Sequence, residues 1–195
     1  MNTLPIKPAS IADRDSALAT MLLAFAEDPM ARWAYPDPAA YLAHFPALVR
    51  GLGGKAFDHG SAHQIDDFAG AALWLPPDVK PDVDSLVALT ERTIAGGKQQ
   101  EIFAIFEKMD AFHPAGPHWY LTFIGVDPTR RGNGHGAALL EHALIPCDRA
   151  GLPAYLESSN PRNISLYERH GFELLGTIQA GSSPPLFPML RKPRT

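Results

Sequence analysis

Arg131-Gly132-Asn133-Gly134-His135-Gly136 is the stretch whose residue types point most directly to chemistry. Before it lies His118 to Val126, a run dense in aromatic and branched residues that reads as a buried strand. Asp127-Pro128 ends that strand, because proline withholds a ladder donor. After it comes the helix-forming run Ala137-Ala138-Leu139-Leu140-Glu141. A strand, a glycine-rich turn and a helix N-terminus in direct succession make an anion site. The glycines admit close backbone approach, and the free N–H groups of the first turn point outward at the positive end of the helix dipole. A phosphate or pyrophosphate is the natural guest. A P-loop would need Lys-Ser/Thr after its last glycine, where this chain has His135-Gly136. A dinucleotide site would need Gly-x-Gly-x-x-Gly and an acid ending the next strand about 20 residues on. Here the glycines are spaced Gly-x-Gly-x-Gly, and Glu157 falls inside that strand.

The run does fit Gln/Arg-x-x-Gly-x-Gly/Ala, as Arg131, Gly134 and Gly136. It resembles the acetyl-CoA loop of the GNAT acetyltransferase superfamily. Tyr155 to Phe172 look like the same superfamily's next strand, helix and strand, with Asn163, Tyr167 and Gly171-Phe172 where its members usually carry them. The whole run from His118 to Phe172 is similar to the members of puromycin N-acetyltransferase type. The resemblance implies an α/β (α+β) GNAT fold: a mixed sheet of six to seven strands, its central parallel pair splayed around the cofactor. It implies one N-acetyltransferase domain over 1–195, with a cofactor half near 116–195 and an acceptor half near 1–115. The cofactor it implies is acetyl-CoA. Main-chain groups of Phe123, Ile124 and Val126 would hold the pantetheine arm. Backbone N–H groups of Arg131, Gly132, Asn133, Gly134, His135, Gly136 and Ala137 would take the pyrophosphate, with added charge from the Arg131 side chain. Asn163 would contact the arm from the other side. Tyr167, at i+4 from Asn163 and so on one helical face, would protonate the departing thiolate. GNAT members are often dimers, which makes a homodimer a possible assembly.

Acetyl transfer from a thioester to an amine needs a proton acceptor for the amine, a donor for the oxyanion and an acid for the thiolate. Holding the reactants in line supplies much of the rest. Many relatives place a glutamate base on the central strand, but His118-Trp119-Tyr120-Leu121-Thr122 contains no acid. Glu157, flanked by Tyr155, Leu156 and Ser158, is the best substitute; an ion pair with an arginine such as Arg162, or an exposed strand end, would equally account for it. His118 titrates in a suitable range, and a water chain without a dedicated residue is the third possibility. Asn133 stands where relatives often have a basic residue, and His135 where they usually have an aliphatic one. Cys147 reads as a packed residue without a catalytic part.

The remaining elements must build the acceptor side. Thr3 to Lys7 reads as a first strand, with Ser10 or Asp13 capping a helix on which Leu18, Met21, Leu22 and Phe25 share a face. Glu27-Asp28-Pro29 ends it, and a second helix follows over about 38–52, stopped by Gly51, Gly53 and Gly54. A split first helix overhangs the acceptor pocket in the GNAT fold, so Phe25, Trp33 and Tyr35 are expected to line it, together with His118. Strands are expected over 61–66 and 68–75, helices over 82–95 and 98–112 with Gly96-Gly97 as the break, and a helix to about Ala150 that Pro146 kinks or shortens. A strand over 154–158, a helix over 161–170 opened by Pro161, and a closing hairpin of 173–180 with 186–191 complete the chain.

Composition narrows the partners. The chain has 195 residues and a net charge of −4, without the concentrated basic patch of a nucleic-acid surface. One cysteine excludes an internal disulfide and fits a reducing cytosol, so a cytoplasmic location is expected. No signal-like start and no apolar run of about 18 residues is present, so neither export nor a membrane span is expected. The sequence therefore points to an N-acetyltransferase of small-molecule amines working by direct transfer, with no metal. Two other readings fit the motifs: a non-catalytic acyl-CoA sensor, and a protein or peptide N-acetyltransferase.

Overall fold

The computed structural model describes residues 5–194. Its centre is a sheet of seven strands in the order β1-β2-β3-β4-β5-β7-β6. The strands are β1 (Ile6–Pro8), β2 (Ala62–Ile65), β3 (Gly70–Leu75), β4 (Trp119–Val126), β5 (Ala154–Ser158), β6 (Glu173–Leu174) and β7 (Phe187–Arg191). Every neighbouring pair is antiparallel except β4 with β5. The helix between those two, α7 (His135–Ala150), makes the crossover a parallel pair requires. This is the mixed sheet of six to seven strands with a central parallel pair that the resemblance implied.

Helices cover both faces, and strand alternation sorts the core into two layers. Leu73, Leu75, Tyr120, Phe123 and Tyr155 pack with α1 (Arg14–Ala24), α2 (Pro29–Ala34), α3 (Pro38–Gly53) and α4 (Lys55–Asp58). Ala72, Trp74, Leu121, Ala154 and Leu156 pack on the other side with α7 and α8 (Ile164–Arg169). All six residues of β3 are buried, as a strand covered on both faces must be. At Gly125 α1 lies tight against the sheet: a Cβ there would come 2.7 Å from Ala24 Cβ and 3.0 Å from Met21 Sδ.

Several boundaries differ from expectation. Thr3 and Leu4 lie outside the described residues, and β1 begins at Ile6 and reaches Pro8. Ser10 caps a short 3-10 turn through a capping box with Asp13, which in turn stands before α1. α5 (Val83–Thr93) and α6 (Gly96–Phe112) do not break at the glycines. The break is at Ile94-Ala95, where Ile94 turns extended and buries its side chain, while Gly96 and Gly97 form the first turn of α6. Pro146 stays inside an unshortened α7. The closing hairpin is a two-residue β6 plus one bridge, Ile178 to Leu186, interrupted by Gly181 and Pro184-Pro185. β2 and β3 join where expected, through Asp66, Asp67 and Phe68 at φ of 51°, 50° and 65°. No helix of the described residues is long and apolar enough to cross a membrane.

Candidate active site

The decisive feature of the sheet is where its parallel ladder stops. β4 pairs with β5 only from Trp119 to Leu121, opposite Ala154 to Leu156, although β4 runs on to Val126 and β5 to Ser158. At that point β4 also slips against β3: Leu73 pairs with Phe123 but Trp74 with Leu121, leaving Thr122 as the extra residue. A bulge bends its strand, and Thr122 Oγ1 is held by donating to Leu73 O at 3.0 Å. The two strands therefore part in a V, with a groove on one side and a cavity on the other.

The groove is open, polar and about 490 Å³ in volume. Gly125, Val126, Arg131, Gly132, Gly134, His135, Gly136 and Ala137 line one wall, and Asn160, Arg162, Asn163, Leu166 and Arg169 the other. Gly132 and Gly134 take φ of +83° and +80°, a left-handed geometry that disfavours other residues, and a Cβ on either would meet nothing within 4 Å. Gly134 stands at the N-cap of α7 and leaves that helix's first turn uncovered by a side chain. Asn133 points back to the loop, donating from Nδ2 to Arg130 O at 3.0 Å, and lies outside the lining. His135 is buried beneath the loop with Nε2 3.8 Å from Asp66 Oδ2; Asp66 is also ion-paired with Arg130. Arg131 donates to Ala24 O at 2.9 Å, pinning the loop to the end of α1. Arg162 and Arg169, which the sequence reading did not assign to the groove, bring further charge to it. A glycine turn of free N–H groups with guanidinium groups on both walls fits the phosphates of a coenzyme A.

The cavity is apolar and holds about 160 Å³. Phe25, Trp33 and Tyr35 line it, with Phe45, Leu48 and Leu52 from α3 and Ile102, Ile105, Phe106 and Met109 from α6. Phe25 makes an edge contact with Phe123 at 5.4 Å between ring centres. Trp33 is tied down by Nε1 donating to Ser182 Oγ at 3.1 Å and by Lys98 at 5.1 Å over its ring. His118 is absent from the lining; it stands behind His113, the residue that caps α6.

Groove and cavity share Phe25, Asp28, Ile124, Asn163 and Tyr167, so the reacting atoms of any pair of ligands would meet there. Tyr167 is 5% exposed and packs edge-on against Phe172 at 6.0 Å. Burial, and then the nearby Asp28 carboxylate, hold its phenol well above the ordinary range, so it keeps its proton at any working pH. Two carboxylates face the cavity. Asp28 caps α2, accepting from Met30 N and Ala31 N at 3.0 Å each and from Ser159 Oγ at 2.6 Å. Burial nonetheless pushes its carboxyl above the usual range, against those hydrogen bonds. Glu157 has a side chain 4% exposed and is neither a strand end in water nor a partner of Arg162; its Oε1 lies 3.5 Å from His113 Nε2, with no hydrogen bond of good geometry. Asp28 and Ser159 were missed because Asp28 looked like a helix stop and Ser159 like a loop residue. The Asp-Pro pair was a cap signal that could have placed Asp28 at a helix N-terminus.

The profile of the Acetyltransferase (GNAT) family matches residues 56–172, more than half of the chain. The chain belongs to the GNAT acetyltransferase family. An uncharacterised N-acetyltransferase of Schizosaccharomyces pombe is 29% identical over 208 residues, spanning 94% of this chain and 81% of that one. A crystal structure described as histone acetyltransferase HPA2 and related acetyltransferase, from Corynebacterium glutamicum, is 28% identical, with a TM-score of 0.70 over 98% of this chain and 97% of that one. An apo mutant of an agmatine N-acetyltransferase shares the fold at 14% identity, with a TM-score of 0.69 over 98% of this chain and all of that one. In this GNAT acetyltransferase the loop from Arg131 to Gly136 borders the groove, and Tyr167 stands where groove and cavity meet.

Proposed function

We propose that this GNAT acetyltransferase transfers the acetyl group of acetyl-CoA directly to the amine of a small molecule with an apolar body. The observation that carries the reading is the meeting of a phosphate-accepting groove with an apolar cavity at Asn163 and Tyr167, beside two buried carboxylates. Acetyl-CoA, when bound, supplies the acetyl group as a thioester. Gly132 to Ala137 and the arginines hold its phosphates, and the unpaired reach of β4 beyond Leu121 receives its arm.

The two carboxylates divide the work. All the hydrogen bonds Asp28 accepts tie it to α2 and Ser159, so it serves as a fixed negative charge that holds an ammonium at the mouth. Glu157 Oε1 has no hydrogen bond of good geometry among the described residues, its polar neighbours being His113 and the phenols of Tyr120 and Tyr155, and is the group left to take the amine's proton. Tyr167 donates a hydrogen bond to the departing sulfur. A phenol held above its ordinary value of about 10 is a weaker acid than a thiol near 8.5, so it stabilises the thiolate without surrendering its proton.

The apolar cavity, with Phe25, Trp33 and Tyr35 at its walls, suits an aryl or alkyl amine, including the aminoacyl-nucleoside type that the puromycin N-acetyltransferase resemblance suggests. The agmatine enzyme that shares the fold supports a small amine as acceptor. The test is thiol release from acetyl-CoA across arylalkylamines, alkylamines, aminoacyl nucleosides, polyamines and a peptide N-terminus. Turnover confined to apolar amines, and reduced by Glu157→Gln, supports the proposal. Preference for the peptide would move the acceptor to a macromolecule. Thermal stabilisation by acetyl-CoA with no turnover on any amine would favour an acyl-CoA sensor.

A further inference from the structure

Behind Glu157 lies a line of imidazoles that the proposed transfer has not used. His113 Nε2 faces Glu157 Oε1 at 3.5 Å, and His113 Nδ1 is 3.0 Å from His118 Nε2. His118 Nδ1 is 2.7 Å from the carbonyl oxygen of Gly116. We propose that Glu157, His113 and His118 form a proton relay carrying the amine's proton from the acceptor cavity to the surface, an inference that rests on the acetyltransferase reading above.

The hydrogen-bond inventory fixes the direction. A carbonyl only accepts, so His118 carries a proton on Nδ1. Neutral His118 then offers a bare Nε2, and His113 donates to it from Nδ1 across the shorter of its two contacts, 3.0 Å against 3.5 Å to Glu157. Neutral His113 is left with a bare Nε2 pointing at Glu157 Oε1, two acceptors face to face with no hydrogen between them. The array is one proton short. Adding that proton puts a hydrogen between every pair, whether it rests on the Glu157 carboxyl, on His113 or on His118, and draws the 3.5 Å contact of His113 with Glu157 in to hydrogen-bond length. Such an array conducts. The amine's N–H bond breaks as a Glu157 O–H bond forms. That proton passes to His113 Nε2, the proton on His113 Nδ1 passes to His118 Nε2, and half-exposed His118 releases one to water.

The surroundings favour a transient positive charge. The His113 ring lies 4.4 Å from the Tyr155 ring and 4.6 Å, edge to face, from that of Tyr120, in reach of cation–π attraction. Burial first and the Glu157 carboxylate next hold both phenols above their usual range, so neither tyrosine competes for the role of anion. Asp78 is the other charge that acts on His118. Burial lowers His118 despite the Gly116 carbonyl, which suits a group that must give its proton up. His113 and His118 are positioning residues in this scheme, since they act through Glu157.

The first test needs no substrate. In 15N-labelled wild-type protein, imidazole shifts at the alkaline end of a titration report which nitrogen keeps its proton. The relay expects Nδ1–H on both histidines, and His118→Phe should let His113 change tautomer. Nε2–H on His113 in the wild type would overturn it. The second test uses the best amine found by thiol release. His113→Phe, which keeps an aromatic ring between the tyrosines, should lower kcat/KM about 10–100-fold at neutral pH. The deficit should shrink as pH rises and the amine loses its proton to water unaided, with KM for acetyl-CoA unchanged. The double variant with Glu157→Gln should be no slower than Glu157→Gln alone. A deficit equal at all pH values, or multiplied in the double variant, would overturn the relay. A wild type inactive on every amine would instead sink the transfer reading, and the tautomers would still decide the array.

Discussion

Each polar residue at the junction has an environment that restricts what it does. Tyr167 is enclosed and its hydroxyl makes no hydrogen bond among the described residues, so its removal leaves no partner stranded. Tyr167→Phe should retain the Phe172 contact and the wild-type melting temperature, while lowering kcat about 10–100-fold with KM little changed, as loss of a contact to the departing group requires. Steady-state kinetics and a melting curve check both halves. Because burial and Asp28 hold that phenol up, the wild-type rate should show no alkaline loss assignable to Tyr167 below about pH 10. Asp28→Asn separates charge from cap. Asparagine caps a helix as well as aspartate does, so α2 should stay folded, and a buried charge is gone. Melting temperature at pH 7 should hold or rise, whereas KM for the amine should increase about tenfold. A large fall in stability would show that the charge itself supports the fold, and an unchanged KM would show that it does not hold the amine.

At the scale of elements, the glycines of the site separate by physical cause. Gly125→Ala would press a Cβ to 2.7 Å from Ala24 Cβ, a backbone-anchored atom that cannot rotate away. α1 must move off β4, at a cost of about 1–3 kcal/mol. Gly134→Ala meets no atom within 4 Å but must hold φ near +80°, a strain of about 1–2 kcal/mol. Gly136→Ala meets only ordinary contacts, at 3.8 Å from Val126 and 3.9 Å from Leu166. It should leave stability unchanged, and only its effect on acetyl-CoA affinity would register. Chemical denaturation and cofactor titration of the three variants sort them.

The far end of α7 is fixed by charge. Arg191, with a side chain 3% exposed, donates to both oxygens of Asp148 at 2.7 and 2.8 Å and to His170 O at 2.9 Å, joining α7, α8 and β7. These bonds hold the Asp148 carboxyl below its usual range. The pair therefore stabilises the fold above the unfolded carboxyl value near 3.9, and the contribution fades as pH falls through the lowered folded value. Asp148→Asn strands a buried guanidinium and should cost about 3 kcal/mol near neutral pH, read by denaturant unfolding, with the difference from wild type narrowing in acid.

Over the molecule as a whole, the legible parts were those whose signals are local. The turn from β4 into α7 is written in consecutive residues, and β5 opens on the apolar Ala154-Tyr155-Leu156, so the glycine wall of the groove was legible locally, while Asn163 and Tyr167 came from the family resemblance. The acceptor side resisted because its walls come from segments far apart. Glu157 looked isolated in its strand, and only the packing of the end of α6 against β4 and β5 brings His113 to it. His118 was singled out for its own titration, and the structure gives it a neighbour in place of a seat in the cavity. The same distant walls set the selectivity. Beyond Asp28 and Glu157 the cavity is lined by Phe45, Leu48, Leu52, Ile102, Ile105, Phe106 and Met109, with no charged group at its α6 wall. A chain that enters it gains about 0.8 kcal/mol per buried methylene. In a series of linear primary amines, kcat/KM should therefore rise about fourfold per carbon until the cavity of about 160 Å³ is full, and then fall. A second ammonium at the far end of the same chain would lie unpaired against Ile105 and Met109, so the matching diamines should react more slowly than the monoamines. A flat response to chain length, or faster turnover of the diamines, would mean that the amine is bound by its charge at the mouth and that the cavity behind it serves another purpose.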